Sequence, residues 1–468
     1  MSVFPQRLAV SLFLLPAVGP GLAGDKMISD APKWSAGRAT KSAPHILWQF
    51  GVGSEFTGAL SVGNGRILVG SLAGPVEARS GVMVALDMSG RLLWKAKHPA
   101  LRGRVHDVGQ PIQSQACIDG DRAYYVSNRG ELMGVDLEGF RDGKNDGPYK
   151  EETSTGEEDV DVIWKIDMPV ELGVFKRDSG AGGPLSSPIV IGDLVFCLTG
   201  HGVPDYDPRA DPKPPSFLAV HKLTGGIAWS SNAPGANIAS LQCSSPVAAR
   251  VNGADQVIFP GGDAVLYGFE PATGRQLWKL DCNPPEALDR FRVKWESSRR
   301  TEMKCGFLAR PVVHGSMLYV ALNEDFEFSF RKPLLAINLA EPDGQPKVVW
   351  KFADPSFSGT YTSAAVGNGL VFVTDCKCVL FALDEQTGLE CWRAELDAGN
   401  YNLYASPVVH EGRVYAGTSE AVTVFEAARE QKCLGQYEFE ALFPSTPQFA
   451  SNQMFVAAGE YVYSLRLP

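Results

Sequence analysis

The chain is punctuated by short apolar runs, each closed by a polar turn and answered by a strand that carries a tryptophan. Val379 to Trp392, read as VLFALDEQTGLECW, shows the pattern most plainly. Val82–Trp94, Val265–Trp278 and Phe217–Trp229 repeat it, and in every copy a glycine (Gly90, Gly274, Gly225, Gly388) stands four residues before the tryptophan. A run rich in Val, Leu and Phe suits a half- or fully buried strand. A Thr/Ser-Gly pair supplies the positive φ of a tight turn. Each copy is therefore a predicted hairpin whose tryptophan offers a broad face for packing against a neighbour.

With gaps allowed, the outer-strand positions fall at Trp48, Trp94, Trp164, Trp229, Trp278, Trp350, Trp392 and Leu434, eight in all. Trp48 lacks a preceding hairpin partner. Upstream of each unit lies a second hairpin signal, an apolar run on either side of a Gly/Asn/Asp turn such as Gly63-Asn64-Gly65 or Gly367-Asn368-Gly369. Four strands per unit and the shortest spacing of 42 residues predict propeller blades. The last unit, Gln448–Leu465, supplies only three strands. Ile46–Phe50 is expected to complete it by pairing with Tyr461–Leu465, closing the ring and removing its open edges. The predicted fold is all-β, an eight-bladed β-propeller over residues 46–468.

These sentences resemble the tryptophan-docking repeats of the pyrroloquinoline-quinone (PQQ) propellers. That class holds quinoprotein dehydrogenases and non-catalytic relatives such as the outer-membrane assembly lipoprotein. The run from Asp136-Leu-Glu-Gly-Phe through Asp142-Gly-Lys-Asn-Asp-Gly-Pro to Asp161-Val-Ile-Trp is similar to exported PQQ-like propellers of planctomycete type. The resemblance implies the fold and leaves the activity open. The quinoprotein branch implies adjacent cysteines, a tryptophan floor, a calcium ion and an aspartate base. No two cysteines are adjacent here, and all tryptophans but Trp34 and Trp295 hold repeat positions. No catalytic residue is assigned, and the expected role is that of an exported binding or scaffolding module. PQQ with calcium, or a carbohydrate or small ligand, are the alternatives.

Composition adds the compartment. Residues 1–23 read as a signal peptide, with Arg7 before the apolar Leu8–Val18 and small residues at Gly21-Leu22-Ala23. Residues 24–45 form a polar lead-in with Trp34 as a packing plug. The first cysteine is Cys117, which leaves the cleavage site without a lipidation cysteine. A periplasmic or secreted monomer is expected, without a transmembrane segment in the mature chain. The net charge of −10 disfavours nucleic acid. The expected partner is another protein or a polysaccharide. Among nine cysteines, Cys282 and Cys305 bracket the longest loop before an inner strand and are the candidate disulfide.

Loop lengths choose a working face. In a four-stranded blade the D–A and B–C connections leave on one side and the A–B and C–D turns on the other. The long segments Ala73–Gly81, Lys97–Gln110, Asp167–Gly183, Gly200–Ser216, Asn283–Lys304 and Asn323–Pro333 all fall on the first side. Function concentrates on loops held by a rigid scaffold. His201, Asp263, Trp295, Arg299, Arg300, Arg310 and Asp375 are the candidate binding residues there. On the other side lies the acidic insertion Glu138–Asp161. Its Asp142-Gly-Lys-Asn-Asp146-Gly147 makes Asp142 and Asp146 candidate calcium ligands, although Lys144 and Thr153 stand where an EF-hand needs oxygen donors. Without a metal this insertion is expected to be a flexible acidic loop.

Overall fold

The structure is a computed structural model. It describes residues 33–35, 46–53, 59–74, 79–99, 111–175, 186–202, 211–238, 242–284, 305–324, 333–396, 405–418, 420–439 and 445–467. The expected signal peptide lies outside them, as do Trp295, Arg299 and Arg300.

Eight four-stranded antiparallel blades form an eight-bladed β-propeller. From blade 1 to blade 8 the inner strands A are Leu60–Gly63, Cys117–Asp119, Ile189–Ile191, Val247–Val251, Val312–His314, Ala365–Gly367, Val408–His410 and Gln448–Ala450. The outer strands D of blades 1 to 7 are Leu92–Pro99, Val162–Asp167, Ile227–Ser231, Gln276–Asp281, Lys347–Phe352, Glu390–Glu395 and Cys433–Glu438. Blade 8 takes its outer strand, Ile46–Gly51, from the other end of the chain, with Ile46 opposite Leu465 and Gly51 opposite Tyr461. The expected closure is present.

Apolar residues are sorted into eight buried clusters, one at each blade–blade interface. No blade owns a core. Each buries one face against the next, which is why the sequence needs both a closed ring and a large residue on every outer strand.

The tryptophans supply that residue, and their docking explains the glycine spacing. The Trp350 indole donates to the Glu385 carbonyl of blade 6 (2.9 Å) and lies on Gly388, where a Cβ would come within 2.5 Å of its ring. Trp48, Trp164 and Trp229 sit the same way on Gly90, Gly225 and Gly274. The glycine therefore serves twice. It adopts a φ of +69° at Gly388, and it leaves room for the preceding blade's indole. Trp278 departs from the rule by donating to Gln256 Oε1 of its own blade.

Blade 7 corrects one assignment. Each tryptophan faces a strand-C residue just after a bulge, as Trp392 faces Ala382. In blade 7 the residue in that register is Gly435, opposite Val424, and Leu434 occupies the bulge. The turn is one residue longer there: Glu426 N–H bonds to the Lys432 carbonyl, where Asp384 N–H bonds to that of Leu389. A fixed offset from the acidic residue therefore lands one position short.

Two segments outside the repeat cover outer edges. Lys33–Ser35, expected as unstructured lead-in, pairs with Cys433–Glu438 as a fifth strand of blade 7. The acidic insertion is ordered and folds back on blade 1, where Lys95 N–H bonds to the Glu158 carbonyl (2.9 Å) and Lys95 bridges Asp159. It carries a 3-10 turn at Gly139–Asp142, and Gly139 lies against Trp94, whose indole donates to the Leu137 carbonyl (2.9 Å). The insertion begins just after this docking point, so blade packing is kept. Both straps blunt strands that would otherwise offer free backbone groups.

Candidate functional site

Strand A of each blade begins at the loop-bearing face, at the mouth of the central channel. The register against strand B makes Ala59, Gln115, Ser187, Ser245, Arg310, Ser363, Ser406 and Thr446 equivalent positions. Most of them form a hydrogen-bonded belt. Gln115 N–H donates to Ser187 Oγ (2.9 Å), and Ser187 N–H to Ser245 Oγ (2.8 Å). On the far side Ser363 N–H donates to Ser406 Oγ (3.0 Å), and Ser406 N–H to Thr446 Oγ1 (2.9 Å). The residue before each adds a second layer. Ser114 Oγ accepts from Val126 N–H and donates to the Ser186 carbonyl (both 3.0 Å), while Ser186 Oγ accepts from Leu198 N–H (3.0 Å). A small hydroxyl is suited to this place, because it satisfies a backbone group of the neighbouring blade with little side-chain entropy lost.

Arg310 interrupts the belt. Its guanidinium has no carboxylate within ion-pair reach among the described residues. It is half-buried where strand A of blade 5 begins. Burial lowers its pKa.

The other candidates on this face are occupied internally. Asp375 is fully buried: Oδ1 accepts the N–H groups of Lys377 and Val379 (2.9 Å each), and Oδ2 those of Ser358 N–H (3.1 Å) and Oγ–H (2.6 Å). It shapes the B–C tip of blade 6 and ties it to the loop before. Asp263 does similar work in blade 4, accepting from Val265 N–H (3.2 Å) and from the Tyr267 hydroxyl (2.8 Å). His201, a candidate binding residue, is a buried pin, only 1% exposed. Its Nδ1 accepts from Phe175 N–H (3.1 Å) and its Nε2 donates to the Asp211 carbonyl (2.8 Å), which fixes the tautomer. Burial lowers its pKa, so it stays neutral and holds two loops together.

The candidate calcium ligands lie in a loop that lysines bind internally. Asp142 Oδ1 accepts from Lys144 N–H (2.9 Å), and Oδ2 pairs with Lys144 Nζ (3.0 Å). Lys150 Nζ donates to Asn145 Oδ1 and to the carbonyls of Asn145 (2.6 Å) and Asp146 (3.2 Å). Lys144 thus occupies the Asp142 carboxylate, while Lys150 takes the main-chain carbonyl of Asp146. Among the described residues no group of three or more His, Cys, Asp or Glu is placed to hold a metal ion. The candidate disulfide does not form either, and Cys282 is a free thiol. It is sunk in the core between blades 4 and 5 with its thiol toward the Leu280 carbonyl, while Cys305 belongs to a separate ladder with Asn323–Glu324.

The buried carboxyls of Asp136 and Glu131 and the half-buried one of Asp263 set the response to acid. Burial raises Asp136 to about 6, helped by the charges of Asp161, Asp142 and Asp146. Burial also raises Asp263 to about 6. Burial pushes Glu131 up as well, but bonds from His98 (3.0 Å) and Ser127 (2.8 Å) and the charge of Arg129 hold it at about 2. For the first two, the folded protein binds protons more tightly than the unfolded chain. Their stabilising contribution is full below about pH 4 and is lost as pH rises through about 6. For Glu131 it is full above about pH 4.5 and lost as pH falls toward 2. The melting temperature is expected to rise from pH 7.5 to 5 and to drop below pH 4. Asp136→Asn and Asp263→Asn should each flatten the first limb, by about 1–2 kcal/mol at neutral pH. A melting temperature constant between pH 7.5 and 5 would contradict these assignments.

A closed ring of eight blades, locked by indoles resting on turn glycines, defines the tryptophan-docking PQQ-repeat propellers. The chain belongs to the family whose model is described as outer membrane protein assembly factor BamB, which matches residues 150–322 and 337–463. BamB of Moranella endobia (strain PCIT) is 21% identical over 424 residues, 89% of each chain. The structure of BamB from Moraxella catarrhalis is similar with a TM-score of 0.57 at 12% identity, over 90% of this chain and 97% of that one. Saccharomyces cerevisiae Sqt1 reaches a TM-score of 0.54 at 9% identity, over 91% of this chain and 99% of that one.

Proposed function

We propose that this chain is an exported, non-catalytic propeller that binds another protein through its loop-bearing face. The observation that carries the reading is the division of labour between the faces. One side is made mostly of short turns, several of which seat an indole of the preceding blade, whereas all but one of the long insertions leave on the other side. Family membership supports it, since the related BamB is named as an assembly factor. That name also fits a periplasmic location, as do the signal-like residues 1–23. No helix among the described residues is long and apolar enough to cross a membrane.

The residues present do not fit a quinone cofactor. Seven of the nine tryptophans are spent on blade docking, and the buried aspartates on the loop-bearing face are filled with backbone and hydroxyl donors. Adding PQQ and calcium to the purified protein should therefore give no saturable calorimetric isotherm at micromolar concentration and no dye-linked alcohol oxidation. A stoichiometric isotherm accompanied by turnover would replace the binding-module reading with that of a dehydrogenase.

A further inference from the structure

We propose that Arg310 receives a carboxylate ligand that enters the central channel from the loop-bearing face. Seven of the eight equivalent belt positions are uncharged, and five carry a hydroxyl. Arginine at the eighth can only donate, so it removes the acceptor that a hydroxyl would offer to blade 4. The loss is confined to the belt itself, because the second layer still spans this junction through the Ser244 Oγ–H bond to the Ala309 carbonyl (2.8 Å). A half-buried guanidinium without an anion has lost part of its hydration, and a ligand that meets its N–H donors and charge replaces what was lost. The ligand that satisfies all of these terms is a planar anion able to accept two parallel hydrogen bonds, and a carboxylate is the matching group.

The surroundings narrow the choice. Cys117 packs into the apolar cluster between blades 2 and 3 and its pKa is raised by burial, so it offers Arg310 no negative charge. The belt positions next to Arg310 are Ser245 and Ser363, on blades 4 and 6, neutral residues that bring no second charge to the site. The net charge of −10 repels anions in general, so selectivity here comes from enclosure and geometry and not from bulk attraction. A propeller's central channel, walled by its inner strands, suits a small organic acid or the end of an extended chain and not a folded surface. The site does not depend on which protein the loops bind.

The test uses the purified protein and two probes in calorimetry and thermal melting. One probe is succinate. The other is a short neutral peptide with a free C-terminal carboxylate, run beside the same peptide amidated. The expected result is saturable one-to-one binding of at least one carboxylate probe, with the amidated peptide silent. Arg310→Gln and Arg310→Ser should weaken that binding at least tenfold, and Arg310→Ser, which restores a belt hydroxyl, should melt at or above the parent temperature. Succinate binding alone assigns a small acid as the source, and binding of the free peptide alone assigns a chain terminus. No saturable binding of either probe at millimolar concentration overturns the proposal. So does unchanged affinity in the variants. Unfolding of both variants would make Arg310 a structural residue and overturns it equally.

Discussion

Removing Ile46–Gly51 is expected to open the ring and to cost more stability than any point substitution, about 5 kcal/mol or more, with aggregation on heating. The strand supplies the whole outer edge of blade 8. Its loss exposes the backbone groups of Tyr461–Arg466 and unroofs the cluster between blades 8 and 1, against which Trp48 and Phe50 pack. Because no blade holds a core of its own, one missing strand weakens two interfaces. A deletion of residues 24–44 is the control, since it removes Lys33–Ser35 from blade 7 and keeps the closing strand. That control should melt within a few degrees of the parent, whereas deletion of 24–51 should not. Equal melting of the two proteins would mean that closure does not hold the ring.

Trp392→Ala is the point substitution with the largest expected effect, about 3–5 kcal/mol by chemical denaturation. The indole is 7% exposed and lies between Phe372 and Phe425, with ring centroids 5.9 and 5.5 Å away. Its N–H donates to the Ala428 carbonyl of blade 7 (2.9 Å), a group left unsatisfied in the variant. Leu434→Ala should cost only about 1 kcal/mol, because Leu434 is half-buried at a bulge and not in the docking register. Similar losses for the two substitutions would show that Leu434 docks as the tryptophans do.

The fold was legible because hairpin chemistry repeats at fixed offsets, and the isolated Trp48 announced the closing strand. Leu434 was misplaced because the single extra residue in the blade 7 turn leaves no mark in the apolar pattern. The acidic insertion was harder, since a calcium loop and a lysine-stapled loop share the same carboxylates. Only the positions of Lys144 and Lys150 distinguish them. On the loop-bearing face, polar residues were visible but their partners were not. Asp375 and His201 bond to backbone groups whose places depend on neighbouring loops. Arg310 stood out in sequence as Arg-Pro among Ser-Pro pairs. That it breaks a belt appears only when the blades are set side by side.

The central claim, that one face binds a protein partner, is tested most directly by site-specific photo-cross-linking in living cells. A photoreactive residue is placed at Lys377, exposed on the B–C tip of blade 6, and separately at Thr387, exposed on the C–D turn of the same blade. The two positions share a blade, a fold and an expression level, and differ only in face. The account predicts a discrete protein adduct from Lys377 and none from Thr387. Adducts from Thr387 alone, or from neither position, would contradict it.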